Sequence, residues 1–136
     1  MITAVDTNIL LDVFGADRTF GRRSSEALRR GIAEGQLVGC EVVWAEIAGF
    51  FPSASAARQA MERLGVEFSA LTLETSLEAS RVWKSYRRSG GPRTRVAADF
   101  LIGAHALLQA DRLLTRDRSF YRSHFKSLQV LDPTLA

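Results

Sequence analysis

The sequence predicts an α/β domain: a three-layer α/β/α arrangement around a central parallel sheet of about five short strands. Two observations carry this. Short apolar, partly β-branched runs alternate with longer segments whose apolar residues recur at helical spacing, the pattern of a parallel sheet covered on both faces. Acidic residues follow the strand-like runs or open the helical ones, at the sheet edge where open α/β folds gather their ligands. At 136 residues the chain fits a single domain, residues 1–136.

The elements follow in order. Ile2–Val5 reads as a buried strand, and Thr7–Phe14 (TNILLDVF) as a helix with Ile9, Leu10, Val13 and Phe14 on one face, ending near Gly15. After a polar connection at Asp17–Phe20, Ser24–Ala33 forms a helix with Ala27, Leu28 and Ile32 inward and Gly35 as its stop. Leu37–Cys40 is a second strand. Val42–Phe51 (VVWAEIAGFF) is apolar almost throughout and is closed by Pro52. Ser55–Leu64 places Ala56, Ala57, Ala60, Met61 and Leu64 in one stripe, and Val66–Leu73 holds a short third strand. Glu74–Arg88 is a long amphipathic helix with Leu77, Val82 and Trp83 inward. Ser89–Arg95 (SGGPRTR) breaks it as a basic loop. Val96–Gln109 is a buried helix, Arg112–Thr115 a strand, Asp117–His124 a helix and Leu128–Leu131 a last short strand.

Composition narrows the class. The 46% hydrophobic and 24% charged residues suit a water-soluble globular protein. A formal charge of +3 with a pI near 9.6 permits a polyanionic partner. Lysine and arginine crowd positions 81–95 and 112–126. Cys40 is the only cysteine, which excludes a disulfide framework and a cysteine-based zinc site. No basic segment followed by an apolar stretch marks a signal peptide, and no window approaches a membrane span, so a cytoplasmic location is expected. There is no GxSxG elbow, P-loop or GxGxxG.

Four carboxylates map to one edge. Asp6 directly follows the first strand, and Asp117 follows Leu113–Thr115 within two residues. Glu46 interrupts VVWAEIAGFF, and Asp99 lies near the start of the helix that the basic loop leads into. Any one of them alone is accounted for as a first-turn acid or, for Asp6, a helix N-cap. Four at one edge repel one another and raise each other's pKa, so a positive charge should neutralise them. Oxygen-only ligands point to a hard cation, Mg²⁺ or Mn²⁺. Such ions activate water and stabilise the leaving oxygen in phosphodiester cleavage. Arg93 and Arg95 in the basic loop, with Arg116 beside Asp117, are the candidates for contact with RNA phosphates. His105 lies about 600° of helical rotation from Asp99 and is expected to be a core or surface histidine.

AVDTNILLDVF, WAEIAGFF, RVAADFLIGAHALLQADRLLT and TRDRSF, in this order and spacing, resemble the PIN-domain family. Within it they look most like the VapC-type ribonuclease toxins of toxin–antitoxin pairs, and the resemblance covers nearly the whole chain. It implies a PIN-like fold and a metal-dependent endoribonuclease whose acidic site corresponds to Asp6, Glu46, Asp99 and Asp117, with Asn8 and Thr115 orienting carboxylates or waters. It also implies a cognate VapB-type antitoxin and a homodimer. Trp44, Phe50, Phe51 and Met61 are candidates for an antitoxin groove, and ordinary core residues otherwise.

Two other classes compete with this reading. An aspartyl-nucleophile phosphatase generally wants a second Asp two residues after the first, where this chain has Asn8. A non-catalytic RNA-binding or interaction module with a PIN-like fold would use the acids structurally and would bind RNA without cleaving it.

Overall fold

The computed structural model describes residues 1–91 and 97–135. Five strands form one parallel sheet: β1 (Ile2–Val5), β2 (Gln36–Gly39), β3 (Val66–Phe68), β4 (Arg112–Leu114) and β5 (Val130–Leu131), in the order β3-β2-β1-β4-β5. β1 is central, in register with β2 through Thr3↔Leu37 and with β4 through Ala4↔Leu113. Thr3, Ala4 and Val5 are all buried although successive side chains point to opposite faces, so helices cover both faces of the sheet.

Those helices are α1 (Thr7–Phe14), α2 (Gly21–Glu34), α3 (Glu41–Ala48), α4 (Ala54–Leu64), α5 (Leu73–Arg88), α6 (Ala97–Gln109) and α7 (Arg118–His124). The α/β/α expectation stands, with the ends of elements shifted by a few residues. The basic loop residues Arg93 and Arg95 lie outside the described residues. Among the described residues, no helix is long and apolar enough to cross a membrane.

The core gathers on this scaffold. Ile9, Leu10, Leu37, Ile47, Met61 and Leu113 are fully buried, each contributing about 1.5–3 kcal/mol from removal of apolar surface from water. Met61 is thus core and no wall of a surface groove, whereas Phe50 remains 49% exposed and Trp44 and Phe51 are half-buried. His105 is core as well, with Nε2 2.9 Å from Ser69 Oγ and its pKa lowered by burial.

Two residues expected to face inward do not. α2 buries Ser24, Ala27, Leu28 and Gly31, and a side chain at Gly31 would strike Leu37, so this stripe is the closest approach to the sheet. Ile32 falls beside it, 45% exposed, over Gly65, whose φ of +77° ends α4 in the left-handed conformation that glycine tolerates. On α5 the buried stripe is Thr75, Ala79, Val82 and Tyr86, which leaves Leu77 on the outer face at 61% exposure.

The strand order positions the site. The chain leaves β1 toward β2 and β3 on one side, then returns to β4 and β5 on the other. The crevice of an open α/β sheet lies at such a reversal, outside the carboxyl ends of the strands. Here that place is between the ends of β1 and β4.

Candidate active site

Asp6 is the first residue past β1. Its backbone N–H donates to Leu114 O at 2.9 Å, continuing the strand pairing by one step. Its backbone is extended, and its Oδ1 accepts the Thr7 N–H at 2.8 Å, so it caps α1. The other oxygen does something a cap does not need. Oδ2 accepts the Thr115 hydroxyl at 2.7 Å, from the first residue past β4, with Asn8 Nδ2 at 3.5 Å from both groups. The Tyr121 hydroxyl, from α7, lies close enough to this carboxylate to lower its pKa.

Thr7 links a second acid to the first. While its amide holds Asp6, its hydroxyl donates to Glu46 Oε1 at 2.7 Å, and Glu46 stands exposed on α3. Asp99 sits in the first turn of α6, and its negative charge acts on Asp6. Asp117 starts α7, with its backbone N–H donating to Thr115 Oγ1 at 3.0 Å. The charges of Asp6, Asp99 and Asp117 are all felt at Tyr121.

Burial dominates the electrostatics. Asp6 is only 7% exposed, and desolvation raises its pKa to about 6. The Thr115 hydroxyl and Thr7 amide work against that rise, the Asp99 charge adds to it, and the Tyr121 hydroxyl again opposes it. Tyr121 itself is pushed well above the usual tyrosine range, first by burial and then by the neighbouring carboxylates. It therefore stays protonated and acts as a donor.

The residues expected at this edge divide by how directly they meet. Asp6, Asn8 and Thr115 touch, Glu46 joins through Thr7, the Asp99 charge is felt at both Asp6 and Tyr121, and the Asp117 charge is felt at Tyr121. Among the described residues, no three His, Cys, Asp or Glu side chains are gathered into a metal cage. The Arg116 side chain, half-buried, is tied to α1. Its Nε and one Nη donate to Asp12 at 2.8 and 3.0 Å, and its guanidinium carbon lies 4.0 Å from the centre of the Phe20 ring. Asp12 is 4% exposed and also accepts the Ser24 hydroxyl at 2.8 Å.

Sequence reasoning assigned no role to Thr7, Asp12 or Tyr121. Asp12 carried a signal of the kind that picked out Glu46, an acid interrupting an apolar helix. Tyr121 carried a weaker one, following Asp117 by one helical turn.

The open parallel sheet, with acids at its topological reversal, defines an α/β domain with an acidic crevice. The PIN domain family model matches residues 3–126, and the chain belongs to that family. No curated protein sequence matches it. In fold the chain is similar to VapBC2 of Rickettsia felis, solved bound to a DNA fragment from its promoter. The TM-score is 0.72 at 17% identity, over 97% of this chain and 98% of that one. VapBC-1 of nontypeable Haemophilus influenzae gives 0.74 at 22% identity, over 98% and 99% of the two chains. FitAcB of Neisseria gonorrhoeae gives 0.70 at 17%, over the full length of both.

Proposed function

We propose that this chain is a metal-dependent endoribonuclease, the toxin of a VapBC-type pair, cleaving RNA at the edge formed by Asp6, Glu46, Asp99 and Asp117. Membership of the PIN family supports this, as do similar folds found in VapBC and FitAB structures. The single observation that carries it is Asp6: a buried carboxylate held by neutral donors, with no lysine or arginine among the described residues pairing with it. A buried carboxylate without a protein cation calls for one from outside.

The donor set fits a hard cation, because every candidate ligand is an oxygen. Asp6, Asp99 and Asp117 would hold Mg²⁺, with Mn²⁺ as a substitute, and Glu46 would complete the set. When bound, the ion supplies a water of lowered pKa and charge stabilisation at the leaving oxygen. The chain's own work is positioning. The Thr7 amide and Thr115 hydroxyl fix the two oxygens of Asp6, Tyr121 stays un-ionised beside it, and Asn8 spans Asp6 and Thr115. Glu46, with Oε1 held by Thr7 and its head in solvent, is the carboxylate placed to accept a proton from water.

The same reading includes a VapB-type antitoxin partner, a homodimer and a cytoplasmic setting. Incubating the protein with total cellular RNA and Mg²⁺, with EDTA, and as Asp6→Asn or Asp99→Asn tests it. Cleavage is expected only for the wild type with metal. Cleavage that survives EDTA, or both substitutions, would sink the mechanism. RNA binding without products, unaffected by chelator, would identify the non-catalytic module instead.

A further inference from the structure

The turn between β4 and α7 carries two residues of the acidic edge, Thr115 and Asp117, with Arg116 between them. Arg116 is tied at both ends to one face of α1. Its backbone N–H donates to Asn8 Oδ1 at 3.3 Å, and its guanidinium grips Asp12 with two parallel bonds. Asn8 and Asp12 stand one helical turn apart, on the same side of α1. That helix is the one Asp6 caps. Asp12 is itself fixed by the Ser24 hydroxyl, and Phe20 covers the guanidinium.

We propose that Asp12 and Arg116 are positioning residues that lock the Thr115–Asp117 turn onto α1, so that Thr115 and Asp117 meet Asp6 in one geometry. The catalytic consequence rests on the nuclease reading above. A buried ion pair is weak evidence of stabilisation, since apolar residues of similar volume often do as well. What a planar fork on a carboxylate adds is a fixed direction. Here that direction sets the register of the turn. The Thr115 hydroxyl donates to Asp6 Oδ2 and accepts from the Asp117 N–H, so a shift at Arg116 moves both. Displacements of about 1 Å at an active site cost on the order of 100-fold in rate. The guanidinium, turned toward Asp12 and away from the crevice, acts through this turn and not on RNA.

Asp12→Asn and Arg116→Lys test the assignment, through single-turnover RNA cleavage, its salt dependence, and Mn²⁺ titration of the RNA-free protein. Both variants should lower the cleavage rate constant by roughly 10- to 100-fold and weaken Mn²⁺ about tenfold, the size of effect seen when the support of a metal ligand is lost. Half-saturating RNA should stay within about twofold of wild type, because no phosphate contact is removed. Arg116→Lys keeps a cation beside buried Asp12, so it carries the test if Asp12→Asn fails to fold. Raised half-saturation in Arg116→Lys alone, with Asp12→Asn binding RNA as wild type does, would make Arg116 an RNA contact and overturn the proposal. Cleavage and Mn²⁺ affinity that match wild type, with only a lowered unfolding midpoint, would overturn it as well. A wild type that neither cleaves nor binds Mn²⁺ removes the nuclease reading and this role together, whereas a cleaving wild type with indifferent variants removes this role alone.

Discussion

Asp6 and Asp12 are two buried carboxylates at opposite ends of the same short helix, and the fold treats them differently. Asp12 receives a bidentate guanidinium and a serine hydroxyl. Asp6 receives an amide and a threonine hydroxyl, both neutral, with the Tyr121 hydroxyl nearby and Asp99 near enough to push its pKa further up. A chain that brings an arginine 104 residues along to neutralise one acid brings, among the described residues, none to the other. The difference supports the proposed reading, with Asp12 as structure and Asp6 as a place for an external cation.

The largest expected effect from disturbing this contrast is on cleavage. Asp6→Asn removes the charge while keeping the shape, and RNA cleavage should fall by more than about 100-fold, or about 3 kcal/mol of transition-state stabilisation. Next comes the other acid. Arg116→Met strands Asp12 without a cation, and urea denaturation should show a loss of about 3 kcal/mol, the scale for breaking a buried pair. The double variant Asp12→Leu/Arg116→Met should recover much of it.

The third prediction concerns pH, and its sign is opposite for Asp6. The folded-state pKa of about 6 lies above the ordinary aspartate value of 3.8, so the folded state binds the proton more tightly than the unfolded chain. Ionised Asp6 therefore destabilises the metal-free fold, increasingly as pH rises from about 4 to 6 and fully above that. Asp6→Asn, with no divalent cation present, should be more stable than wild type by about 2 kcal/mol at pH 7.5, against a ceiling of about 3 set by the shift. The advantage should vanish near pH 4, as followed by thermal unfolding. An equal advantage at both pH values would show that burial of the charge is not its source. The smallest effect belongs to exposed Glu46: Glu46→Gln should change stability by less than about 0.5 kcal/mol, while cleavage drops.

Much of the fold, and the Asp6 half of this contrast, were legible in the sequence, for definite reasons. Ile2–Val5 and the segment around Leu113 are short, β-branched or apolar, and end on polar residues, so the strands and the acids beyond them could be placed together. The carboxyl-end rule for parallel sheets then selected Asp6 and Asp117 without coordinates. The Asp12–Arg116 pair was hidden because it joins positions far apart through a turn whose path depends on β4 lying beside β1. Tyr121 was hidden because its role is to approach Asp6 from another element. Leu77 and Ile32 went astray for a simpler reason. Hydrophobicity alone did not reveal that Thr75 and Gly31 occupy the closest-packed positions of their helices.

The central claim is that Asp6 takes up an external divalent cation. Isothermal titration of Mn²⁺ into wild type, Asp6→Asn and Glu46→Gln at pH 7.5 tests it most directly. Saturable binding by the wild type, lost in Asp6→Asn and retained though weakened in Glu46→Gln, is the predicted result. Equal Mn²⁺ affinity in wild type and Asp6→Asn would contradict it.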